Sequence, residues 1–313
     1  MIKPHEHMTL LERLKLRQAK RRFFVWIILT PVLIWFMIYM FIPIVTVVLY
    51  SFTNAKMQYG EFRFLGFANY IKMFNSDPLI PIALKNTIMA VLLILPGTLI
   101  LSIGLAALLN NVGNRARESF TFIYFLPSIV PMTAIALVWA WLYHPQFGLF
   151  NAILKLTGLP IQQFLQSSEQ ALFSISAVQI WYSFGYYAVI LLAAMRGVST
   201  DVLEAADIDG ASSFRKFFNI TIPIIKPSLV FVSIMSTISA FKLFTPVDVL
   251  TTGRGTPGTS TMVLMLKIKI DGIVLGDTGY ASAISLLLLV IILFVSMIQW
   301  VLSREGKREG RKA

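Results

Sequence analysis

Six long apolar runs leave this chain few folds to choose from. They extend from about Phe23 to Tyr50, Thr87 to Leu109, Phe120 to Tyr143, Ala171 to Met195, Ile224 to Val247 and Tyr280 to Leu302. A helix needs roughly 20 apolar residues to cross a hydrocarbon layer, and each run reaches that length. Of the 313 residues 57% are hydrophobic and 13% charged, with a mean hydropathy of +0.74, a balance rare in soluble domains. The expected fold is therefore all-α: a polytopic membrane protein of six transmembrane helices. Its parts are a basic N-terminus (1–22), one six-span domain (23–302) and a basic tail (303–313).

Local signals refine the spans. The first run is too long for a signal-peptide core and reads as an uncleaved span. Pro31 and Pro43 are expected to kink or end it. Before it, Leu10, Leu11, Leu14 and Gln18 fall at helical spacing and predict a short interfacial helix. Asn86-Thr87 is read as the opening of the second span.

Charge orients the bundle. Eighteen of the 27 Lys and Arg residues lie in the N-terminus, the turn at 110–119, the stretch 196–226 and the tail, against eight in the other three connections. Lys242 falls inside a span and completes the count. Positive loops stay in the cytoplasm, so both termini and the stretch 196–226 are expected there. A net charge of +12 then reflects membrane anchoring and lipid contact, with no nucleic-acid partner.

The densest information lies in residues 199–223, polar between two apolar runs. Asp201 is placed to cap a helix, with Glu204 three residues on as in a capping box. Gly210 suits the left-handed residue that ends such a helix. Ser212 or Ser213 can cap a second short helix, and Pro223 is expected to close the unit. Ala205, Ala206, Gly210 and Ala211 are small enough for another surface to approach, while Phe214, Phe217 and Phe218 supply an apolar face.

Glu204-Ala205-Ala206, Gly210 after three residues, and Ile220-Thr221-Ile222-Pro223 after nine more resemble the EAA loop of ABC importer permeases. Ile222 stands where the family usually has Leu. Gly66-Phe67-Ala68-Asn69-Tyr70 with Asn86-Thr87, and the outer loop Leu250–Pro257, are similar to segments of the carbohydrate-uptake branch, the group of maltose and glycerol-phosphate importers. In that loop Arg254 and Thr256 interrupt the usual Gly-Gly-Pro. The resemblance implies a cytoplasmic helix-turn-helix in which Glu204, Ala205, Ala206, Asp207, Asp209, Gly210, Ala211, Ile220 and Pro223 couple to an ATPase. It also implies partners: a second permease subunit, two ATP-binding subunits and an extracytoplasmic solute-binding protein, in a bacterial inner membrane.

The chain carries no phosphate-binding loop of the G-x-x-x-x-G-K-[ST] kind, no cysteine and only three histidines. It is expected to be a transport subunit rather than an enzyme, binding no cofactor itself, with ATP and magnesium on its partner. Polar residues within lipid are costly unless they face a cavity or another helix. Gln179, Ser183 and Tyr186 share one face of the fourth span, and Ser236, Ser239 and Lys242 one face of the fifth. These six are the candidate solute pathway, with helix packing by small polar residues as the plain alternative and, for Lys242 near a span end, snorkelling to the outer interface. The reading is an ATP-driven importer of a sugar or oligosaccharide. A glycerol-phosphate or other polar-nutrient importer is the rival within the class. A secondary transporter is disfavoured, because span charges are nearly absent apart from Lys242.

Overall fold

The computed structural model describes residues 10–57 and 63–309. Helices account for nearly all of the described residues, with one isolated bridge between Thr53 and Phe64. Helix α1 (Leu10–Phe36) passes through a π turn (Met37–Phe41) into α2 (Ile42–Ser51). Then follow α3 (Ala68–Asn75), α4 (Leu79–Asn110), α5 (Asn114–Phe125), α6 (Met132–Leu142), α7 (Leu149–Leu156) and α8 (Ala171–Arg196). Beyond them come α9 (Thr200–Ile208), α10 (Ser213–Lys216), α11 (Ile222–Ile224), α12 (Lys226–Phe241), α13 (Thr245–Leu250), α14 (Leu264–Lys269) and α15 (Thr278–Glu309).

Five helical stretches are long and apolar enough to cross a membrane, and a sixth is α5 with α6, bent by 97° at its break. The span expected from Phe120 to Tyr143 is thus present as this bent pair. Pro127 sits in a 3-10 turn (Leu126–Ile129) and Pro131 caps α6 with ψ near 129°. Neither can donate to the preceding turn, so the hydrogen-bond ladder stops between them. The fifth span is likewise interrupted: α12 ends at Phe241 and α13 starts at Thr245, leaving Lys242 at the break.

The first span behaves in the opposite way. Pro31 lies inside α1 and Pro43 in the first turn of α2, yet the helix runs on to Ser51. Just before Pro43, the Ile42 amide donates to the Met37 carbonyl five residues back. That wider turn makes room for the ring, which would otherwise meet the carbonyl four residues before it. The helix is already formed at Leu10, so the short interfacial helix is instead the start of one continuous rod.

Helices α4 and α8 form the most extensive pair, with α12 against α4 and α15 against α2 and α12. At one end Leu105, Leu109, Leu191, Met195, Ile225 and Val232 are buried together. Toward the other end Ile94, Ile175, Val247, Leu264, Tyr280 and Ile284 form a second core. Gly185 sets the approach of α5 to α8, since a Cβ there would overlap the Tyr124 carbonyl.

Two sequence signals turn out to be long-range clasps. Asn86 and Thr87 lie a full two turns inside α4, which opens at Leu79 because Asp77 accepts the Leu79 amide at 2.9 Å. The Asn86 amide donates to the carbonyls of Thr259 (2.9 Å) and Met262 (3.0 Å), and Thr87 Oγ1 accepts from the Leu264 amide at 2.9 Å. Asn69 donates to the Ser51 and Thr53 carbonyls, both at 2.9 Å, and Tyr70 to Ser51 Oγ at 2.8 Å. Both pairs tie loops to spans by satisfying buried carbonyls.

Candidate functional site

The hairpin at 199–223 is built by caps. Ser199, rather than Asp201, is the N-cap of α9: its side chain accepts from the Asp201 amide at 3.2 Å. Glu204 therefore sits one turn inside the helix and is exposed. At the other end Gly210 has φ of +73°. The Gly210 amide donates to the Asp207 carbonyl at 3.0 Å and the Ala211 amide to the Ala206 carbonyl at 2.9 Å. This crossed pair closes the helix around a left-handed glycine. Ser212 then caps α10 by accepting from the Arg215 amide at 3.3 Å. Lys216 Nζ meets Asp207 Oδ1 at 2.5 Å, bracing one arm against the other.

Pro223 does not close the unit. The helical path continues from Ser213 through a π turn (Phe217–Thr221) to Ile224, and the break comes at Ile225. The Ile222 amide bonds five residues back to Phe217, the same accommodation seen before Pro43.

Of the nine hairpin candidates, Ala206 is buried, Ala211 and Ile220 are half-buried, and Glu204, Ala205, Asp207, Asp209, Gly210 and Pro223 are exposed. Two residues stand out, Phe214 of the expected apolar face and Ile208, which was passed over in the sequence. Ile208 is 88% exposed, and Phe214 is 73% exposed with its ring 4.5 Å from that of Phe218. The available signal was an isoleucine flanked by two aspartates at a turn, an odd place for an aliphatic side chain. Leu203 and Phe217 turn inward against the core of α4, α8 and α12.

On the other side of that core, α6, α8, α12 and the α12–α13 break border an open cavity of about 410 Å³. Gln179, Ser239 and Lys242 line it, together with Tyr187, Met132 and Met235. Three of the six pathway candidates thus come together. Ser183 points into the α4–α8 seam, donating to the Gln179 carbonyl at 2.8 Å and lying 3.5 Å from Thr98 Oγ1. Ser236 is buried and off the cavity wall. Tyr186 is 44% exposed, with its ring 6.2 Å from that of Phe125, outside this cavity. Its neighbour Tyr187 takes the lining position. Position seven along from Gln179 lies within about 20° of it and position eight about 80° away, so spacing points to Tyr186, whereas the cavity wall runs from Gln179 round to Tyr187.

A third cluster had no sequence signal. Lys267 Nζ lies 2.8 Å from Asp77 Oδ2 and 2.6 Å from Asp271 Oδ2, and the Tyr280 hydroxyl donates to Asp77 at 2.8 Å. The Lys267 and Asp271 side chains are each 5% exposed. Outside them Lys72 pairs with Asp277 at 3.2 Å and sits 3.9 Å over the Tyr280 ring. Burial alone would raise the Asp77 carboxyl. Hydrogen bonds from Lys267, Tyr280 and the Leu79 amide, with the Lys267 charge, outweigh it and hold the group below the ordinary carboxylate value. For Asp271 burial dominates over Lys267, and its carboxyl is raised. The network joins α14 and α15 to the segment before α4. Among the described residues no group of His, Cys, Asp and Glu is arranged to hold a metal ion.

A polytopic helical bundle with a capped, exposed hairpin at one end and a polar cavity beyond its core is a membrane transport subunit. A family profile described as "binding-protein-dependent transport system inner membrane component" matches residues 98–306. The chain is 31% identical over 273 residues to the sulfoquinovosyl glycerol transport system permease protein SmoG of Agrobacterium fabrum, covering 87% of each. It is 32% identical to the probable ABC transporter permease protein PH1215 of Pyrococcus horikoshii, over 91% of this chain and 97% of that one. It is 29% identical to the trehalose/maltose transport system permease protein MalF of Thermococcus litoralis, over 93% and 96%. The crystal structure of a bacterial alginate ABC transporter, in complex with an alginate pentasaccharide-bound periplasmic protein, contains a chain of the same fold. The TM-score is 0.80 at 23% identity, covering 92% of this chain and 96% of that one. The chain belongs to the family of inner-membrane components of binding-protein-dependent transport systems. It is a multi-pass membrane protein and a permease subunit of an ABC importer, not an enzyme.

Proposed function

We propose that this permease carries a sugar or oligosaccharide, delivered by an extracytoplasmic binding protein, and that it is driven by ATP-binding subunits docked on the Ser199–Pro223 hairpin. The observation that carries the reading is the exposure of Ile208 and Phe214 on a rigidly capped turn. Large apolar side chains left in water on an ordered surface favour a protein partner. Lys216–Asp207 and the glycine closure let the turn move as one piece. A lever of this kind transmits ATP-driven closure of the partner to α8 and α12, which continue from its two ends. Each end state must then be stabilised differently by ATP and by the loaded binding protein.

The proposed assembly has a second permease subunit and two ATP-binding subunits that hold ATP and magnesium, with both termini of this chain cytoplasmic. Related permeases named for maltose, lactose and arabinooligosaccharides support a saccharide solute. So does a cavity that sets Gln179, Ser239 and Tyr187 close together, since amides and hydroxyls bond sugar hydroxyls and aromatic rings stack on sugar faces. The test is uptake of labelled oligosaccharides by proteoliposomes holding the full complex. Uptake is expected to need both ATP and the binding protein, and Ile208→Asp to abolish recovery of the ATP-binding subunits with this chain. Full recovery with that variant would remove the hairpin from the coupling path.

A further inference from the structure

We infer that the solute of this permease carries a negative charge, a carboxylate or sulfonate on the sugar, and that Lys242 is the residue that selects it. The inference rests on the saccharide reading above and narrows it.

Lys242 occupies the break between α12 and α13 and lines the cavity with Gln179, Ser239 and Tyr187. No carboxylate lines that cavity, and among the described residues no acid pairs with Lys242. The aspartates of the surrounding segments are already committed: Asp77 and Asp271 to Lys267, Asp248 to Lys269, Asp277 to Lys72. Each of those lysines has its own counter-ion, and the one facing the cavity has none.

Its depth matters. Lys242 follows Lys226, the first residue of α12, by sixteen positions, which at 1.5 Å per residue places it about 24 Å along the helix. Lys242 thus falls within the stretch Lys226–Leu250, which is long and apolar enough to cross a membrane, and its side chain is exposed. Beyond it the chain does not leave the bundle: Leu243 and Val247 are buried, and α13 packs on α6. A cation held at that depth without a partner is costly and marks a path for a charged species. The cavity is where the cost is met, by water when empty and by an anionic solute in transit. Gln179 and Ser239 then serve the hydroxyls, and the ammonium serves the anion through a charge-assisted hydrogen bond. Neutral-sugar permeases are also among the relatives, so similarity leaves the charge open and the cavity decides it.

The experiment compares uptake by the reconstituted complex, binding protein included, of three labelled oligosaccharides of matched length: a uronate, a sulfonated sugar and a neutral one. Wild type is expected to carry a charged member at least about tenfold faster than the neutral one, the scale of one charge-assisted hydrogen bond. Lys242→Gln is expected to remove most of that margin, while Lys242→Arg keeps it. If Lys242→Gln fails to assemble, the wild-type margin and the Arg variant still decide. Uptake of the neutral sugar as fast as the charged ones by wild type, or a charged-over-neutral margin unchanged in Lys242→Gln, would overturn the charge assignment and leave the saccharide reading standing. Uptake of no sugar, with Lys242-dependent uptake of a small anion such as glycerol phosphate, would overturn the saccharide reading and keep the charge.

Discussion

The two ends of the molecule are held together by different means. The end carrying α14 is locked by buried charge: Lys267 between Asp77 and Asp271, with Tyr280 closing the ring. The end carrying the hairpin is held by backbone conformation and caps, with Ser199, Gly210 and Ser212 each fixing one turn and most side chains in solvent. Buried charge makes a joint that fails badly if one member is lost. Caps make a piece that is rigid locally and meets the core through Leu203 and Phe217. The first is a fixed joint between segments distant in sequence, and the second is a turn ordered largely by its own backbone.

The sharpest way to break the contrast is Lys267→Met. It strands two carboxylates with little solvent, a loss of roughly 3–5 kcal/mol for a broken buried pair. The expected result is a large fall in thermal midpoint in detergent, or failure to accumulate in the membrane. A melting curve unchanged from wild type would mean that the buried ring contributes little to the stability of that end.

Gly210→Val tests the other end with a smaller effect. A β-branched residue at φ of +73° costs about 1–2 kcal/mol of backbone strain. The surroundings of Gly210 are open, with no atom within 4 Å of an added Cβ, so the strain stays in the turn. Thermal stability of the spans is expected to hold while co-purification of ATP-binding subunits falls. Loss of both together would show that the hairpin is part of the global fold and not a separable lever.

Ser199→Ala is the mildest. Loss of this N-cap costs about 1 kcal/mol of α9 stability. The expected readout is faster amide exchange confined to residues 201–204. Exchange spreading into α8 would blur the line drawn here between capped turn and packed core.

How much of this was legible in the sequence follows from range. Six spans, the all-α class and the turn at Gly210 were readable because apolar run length, helical periodicity and a glycine's left-handed freedom act within a few residues. The helix break between Pro127 and Pro131 was visible only as two prolines. Pro43 and Pro223 carry the same signal and pass through continuous helix, because a π turn precedes each. Pro31 and Pro96 also lie inside α1 and α4 without ending them, so a proline alone does not say where a helix stops.

Tertiary structure alone decided the rest. Asp77 and Lys267 come together across 190 positions, and nothing near either one announces the other. Tyr187 lines the cavity, while Tyr186 lies beside Phe125 of α5, next to the point where Gly185 lets α5 approach through the Tyr124 carbonyl. Lys242 was plain in the sequence as a charge within a span. That it faces a cavity without a counter-ion, while Lys72, Lys267 and Lys269 each have one, depends on how the segments around it fold back on one another. Local physics sets which segments are helices and where they turn. Which faces meet is set by packing summed over the whole bundle.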